Sequence, residues 1–136
     1  MRSISVAIKI WAKTVALNAF LWGIVSLLKG NIWESLGAIL FLLLGFIGTL
    51  PLLMLIFPLV NVSTLMPYSI PAKTAWLTFY LIGLIILFYG LFSLVKSDTF
   101  FKSYSWTGQF MGTSIGGLLI AVITSRKSLN KLYTAV

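Results

Sequence analysis

Residues 37–60 read GAILFLLLGFIGTLPLLMLIFPLV, an uninterrupted run with no charged side chain. At about 1.5 Å per residue a helix of that length reaches ~36 Å, more than the ~30 Å hydrocarbon core of a bilayer. A soluble fold would have to bury this run on all sides. With 60% hydrophobic and only 9% charged residues in a chain of 136, too little polar surface remains to cover such a core. The fold class expected is an all-α integral membrane protein.

Three further apolar runs are long enough to cross, which places spans at about 10–28, 35–60, 74–95 and 106–124. The links between them are short, so neighbouring helices should run antiparallel. The expectation is a single membrane domain over residues 1–136: an antiparallel four-transmembrane-helix bundle with its second helix kinked near Pro51. The N-terminus is basic and then apolar, as in a secretory signal. Lys9 and Lys13 interrupt that pattern, however, and the apolar run continues to Leu28 without a small-residue cleavage site.

Local chemistry marks the joints. Lys29, Gly30 and Asn31 read as a turn, with Asn31 as N-cap of the second helix and Glu34 near the positive end of its dipole. Within the second span, Pro51 and Pro58 each remove a backbone donor. Gly45 and Gly48 make the approach to Pro51 the most deformable point, and the Thr49 hydroxyl can satisfy a freed carbonyl. Residues 61–73 lose helical periodicity and carry Pro67 and Pro71, which suggests an interfacial loop.

Small residues mark the expected seams. In the first span Ala12, Ala16, Ala19, Gly23 and Ser26 recur at helical spacing; in the fourth, Gly108, Gly112 and Gly116 form a tandem G-x-x-x-G series. Beside it runs a second series of Thr113, Gly117, Ala121 and Ser125. Lipid offers no hydrophobic drive for helix association, so close backbone approach over small residues is what holds such helices together.

The ten cations set the orientation. With a cytoplasmic N-terminus, Arg2, Lys9, Lys13, Lys73, Arg126, Lys127 and Lys131 lie inside, and Lys29, Lys96 and Lys102 lie outside. Both termini are thus expected in the cytoplasm, in the inner (plasma) membrane of a prokaryote. Lys9, Lys13, Arg126, Lys127 and Lys131 would meet anionic headgroups. Scattered singly around the apolar runs, the cations form no stacking-lined basic surface for nucleic acid.

Catalytic material is scarce. The chain has no cysteine or histidine, and its two side-chain carboxylates, Glu34 and Asp98, fall outside the spans. No cofactor, metal site or acid–base pair is expected, and a Ser/Lys arrangement is the one hydrolytic option that the composition leaves. The size and four-span plan resemble several unrelated groups, including small multidrug transporters, fluoride channels, bacteriocin immunity proteins and accessory subunits of larger complexes; the glutamate expected in the first helix of the multidrug transporters is absent, and no residue motif assigns the chain to another of these groups.

The leading expectation is therefore a non-enzymatic accessory, assembly or immunity-type subunit that works by association with another membrane protein or with itself. The competing expectation is an oligomeric channel or carrier for a small solute or ion. Its gate would be the break near Pro51, and its polar path would run along Asn18, Thr49, Gln109 and Thr113. An enzyme acting on lipid comes third.

Overall fold

The computed structural model describes residues 2–95 and 106–135. The chain order is α1 (Arg2–Leu28), α2 (Ile32–Gly48), α3 (Leu50–Leu65), α4 (Ile70–Val95) and α5 (Trp106–Tyr133). Among the described residues three helices are long and apolar enough to cross a membrane, and the count is four if the bent pair α2–α3 makes one span. The connection at residues 96–105, with Lys96, Asp98 and Lys102, lies outside the described residues.

Helix α1 is the hub. Its most extensive packing is along α5, and it also carries α2 and α3, while α4 closes the bundle against α5 and α3. The α1–α5 pair is antiparallel. Lys13 bonds Thr124, Asn18 bonds Thr113 and Lys29 bonds Gln109, so rising positions on one helix meet falling positions on the other. Trp22 stacks on Phe110 within the same seam, with centroids 5.2 Å apart.

Helix α1 ends in a Schellman motif: Asn31 N–H bonds the Ser26 carbonyl, Gly30 N–H bonds that of Leu27, and Gly30 takes φ +77°. Asn31 then caps α2 by accepting from Glu34 N–H at 3.1 Å. A turn of this type reverses the chain within three residues, which lays α2 back along α1.

Where one kinked helix is expected over residues 35–60, two helices stand. Helices α2 and α3 meet at Thr49 with a bend of 61°. Pro51 falls in the first turn of α3, where a missing N–H leaves no helical bond unmade. The Thr49 hydroxyl and N–H both bond the Gly45 carbonyl, so Thr49 closes α2 as it opens α3.

The helices also run further than expected. Residues 61–65 continue α3, and the link to α4 is only residues 66–69. Ser63 and Thr64 direct their hydroxyls at carbonyls three residues back, which keeps these polar residues helical, and Pro71 lies in the first turn of α4. At the chain ends α1 begins at Arg2 and α5 continues to Tyr133, so the basic residues near both termini ride on helical turns.

Packing is concentrated towards the end of the bundle that holds the termini and the α3–α4 link. Ile10, Val60, Leu77 and Leu129 are fully buried there, with Val6, Leu81, Leu118 and Leu132 around them. Tyr133 locks this end: its hydroxyl lies 3.1 Å from Ser63 Oγ, and Lys73 Nζ sits 5.6 Å above its ring while bonding the Thr64 carbonyl. Helix α2 has no buried residue among those described and presents Leu36, Leu40, Leu43 and Ile47 outward. In a bilayer that face meets acyl chains.

Candidate functional site: a polar layer beside the helix break

Within the bundle, polar side chains pair across helices. Thr113 Oγ1 donates to Asn18 Oδ1 at 2.6 Å, tying α5 to α1. The Tyr89 and Ser114 hydroxyls are 3.0 Å apart, tying α4 to α5. Trp11 Nε1 donates to Thr49 Oγ1 at 3.0 Å and sets its ring edge-on to Phe46, bracing α1 against the break. An unpaired polar group in hydrocarbon costs several kcal/mol, so these bonds decide which helix faces can meet.

These groups border one cavity of about 70 Å³, whose wall includes Asn18, Thr49, Tyr89 and Ser114 together with Ile56 and Leu81. Water needs about 10–15 Å³ on this measure and two to four polar partners, so the cavity has room and donors for a few molecules. Its chemistry is that of neutral hydroxyls, an amide and an indole N–H. Such groups bind water or a small neutral solute by hydrogen bonds, and no group of His, Cys, Asp or Glu that could hold a metal occurs among the described residues.

The residues singled out for a polar path divide between two levels. Asn18 and Thr49 share the cavity, and Thr113 holds Asn18 in place. Gln109 is elsewhere, accepting from Lys29 Nζ at 2.5 Å near the α1–α2 turn, and Pro51 is exposed on the outside of the break. Trp11, Tyr89 and Thr14 join the cavity wall without having been singled out. Tyr89 is a phenol in the middle of an apolar span, which is a visible signal, but the face it occupies is not readable from α4, whose apolar residues run all round.

The small residues likewise divide. On α5, Gly117 and Ala121 are buried, with Thr113 and Ser125 in the same row. A Cβ built on Gly117 would lie 3.0 Å from Asn18 N and 3.1 Å from the Thr14 carbonyl oxygen, so backbone meets backbone there. Gly116 would reach Leu21 at 3.4 Å, whereas Gly112 faces open space with nothing within 4 Å, and Gly108 is half-buried. On α1, Gly23 packs on Ala38 of α2 and Ala19 is buried, while Ala12 is half-buried and Ala16 exposed.

The cations expected at headgroups share one end of the bundle, away from Lys29. Lys13 bonds Thr124 at 3.1 Å; Lys9, Arg126, Lys127 and Lys131 are exposed. Arg2, Lys9 and Lys131 line a cleft between the start of α1 and the end of α5.

Fold and interior together define a small, all-helical membrane protein whose helices are held by close packing and interhelical hydrogen bonds. Comparison with family models, with curated proteins and with solved structures finds no match.

Proposed function

We propose that this chain is a non-enzymatic subunit that acts by helix association, as an accessory, assembly or immunity-type partner within a membrane complex. The observation that supports this most is the division of glycines on α5. Gly117 is used up by contact with α1, while Gly112 lies on a spanning helix with open space beside it. A glycine there gives the bundle itself no contact, but it offers another helix a close approach. The polar groups beside the cavity, Trp11 with Thr49, Tyr89 with Ser114 and Thr113 with Asn18, are also taken up in bonds between helices, which suits a structural role better than a catalytic one.

Gly112→Leu tests this reading cleanly, because the space is open and the bundle should still fold. Loss of a co-purifying partner or of self-association after mild extraction is the expected result. An unchanged complex size would overturn it.

A channel or carrier is the second reading, favoured by the cavity at the level of the break. Broken helices expose backbone groups where transported solutes bind. Uptake or conductance in liposomes, lost in Asn18→Leu, would support it over the subunit reading. Both readings put the bundle's basic end in the cytoplasm, facing anionic headgroups.

A further inference from the structure

Between the first half of α4 and the last half of α5 runs a cleft of about 760 Å³, within the ~300–1,000 Å³ typical of ligand sites. The two helices are antiparallel, so its lining is ordered along the membrane normal. Thr74, Arg126 and Asn130 lie at the end shared with the chain termini, and Phe79, Ile82 and Leu119 lie further into the span. The cleft is thus cationic and polar at one end and apolar along the rest.

We propose that this cleft holds one anionic phospholipid, with its phosphate at Arg126 and an acyl chain along Phe79, Ile82 and Leu119. The proposal rests on the membrane location and not on the subunit reading. Charge complementarity identifies the occupant. Arg126 is exposed and forms no ion pair among the described residues. The chain's two side-chain carboxylates cannot neutralise it from nearby in sequence, because Glu34 follows the α1–α2 turn and Asp98 falls between α4 and α5.

Two further features fit a headgroup. The start of α4 at Ile70 borders the cleft, and the positive end of a helix dipole favours a phosphate. Asn130 lines the same end of the cleft as Arg126 and Thr74 and adds an amide to its polar wall. A glycerol headgroup carries a phosphate that suits the cation and the helix start, and hydroxyls that suit the polar wall of Thr74 and Asn130. A partner helix would instead bring apolar side chains against the guanidinium and leave it unpaired.

The test uses the full chain in uncharged micelles, with phosphatidylglycerol, phosphatidylcholine or inorganic phosphate added and retained lipid counted by native mass spectrometry. One phosphatidylglycerol should be retained per chain and neither of the other two should replace it. Arg126→Gln, which removes the cation, and Leu119→Trp, which fills the apolar part, should each weaken retention about tenfold. Lys131→Gln removes a charge from the opposite side of α5 and should leave retention unchanged. Thermal melting without lipid checks that the variants fold, and Ile123→Trp, at a more exposed position of the same cleft, substitutes for Leu119→Trp if that variant does not. Equal retention of phosphatidylcholine, displacement by inorganic phosphate, or an equal loss in Lys131→Gln would each overturn the proposal.

Discussion

Asn18 and Thr113 stand 95 residues apart in sequence and are joined by a 2.6 Å hydrogen bond at the centre of the α1–α5 seam. One turn along, the backbone of Asn18 is also the nearest neighbour of Gly117. The same residue therefore sets both the polar register and the closest approach of the two helices.

Thr113→Val removes the donor and keeps the shape. Interhelical hydrogen bonds in bilayers contribute roughly 0.6–2 kcal/mol, so the variant should be less stable by about 1 kcal/mol. Asn18→Leu should lose at least as much, because it leaves the Thr113 hydroxyl without its interhelical acceptor. Unfolding in mixed micelles, with the double variant completing the cycle, should give coupling between positions 18 and 113.

Gly117→Ala should destabilise by roughly 1–3 kcal/mol, since the added methyl meets main-chain atoms of α1 that cannot move aside. Gly112→Ala meets nothing and should be neutral or slightly stabilising by the helix preference of alanine. A melting comparison of the two variants in detergent reads the difference directly.

Trp11→Phe keeps the ring and loses the indole N–H that bonds Thr49. The backbone amides of Thr49, Leu50 and Leu52 should then exchange faster with solvent deuterium, while amides around Leu77 and Leu129 in the buried core keep their protection. Unaltered exchange at the break would mean that the bend is held by Thr49 and Gly45 alone.

The chain contains no cysteine, so single cysteines report topology without background. Ser3→Cys, Ser69→Cys and Ala135→Cys should label from one side of the membrane and Asn31→Cys from the other, because both ends of the chain and the α3–α4 link share one end of the bundle. By charge asymmetry the first group should be cytoplasmic.

The membrane class was legible because it depends on quantities that a linear chain already contains. Run length, missing charge and helical spacing alone require residues 37–60 to leave water. The Asn31 cap could also be read, since it is local chemistry over a few residues. Helix ends could not be read as well. Ser63 and Thr64 look like loop residues until their hydroxyls find carbonyls of their own helix, and Pro71 looks like a breaker until its place in a first turn makes its missing N–H harmless.

What only the tertiary structure decided is which of several equivalent faces is used. Gly112 and Gly117 belong to adjacent stripes with the same spacing, and nothing within α5 distinguishes them. One lies against α1 and the other in open space, in the register where Thr113 reaches the Asn18 amide oxygen. Sequence dictates the partition into lipid, since that is a one-body property of each segment. The pairing of faces is a many-body property, set by the simultaneous satisfaction of backbone contact and buried hydrogen bonds between residues nearly a hundred positions apart.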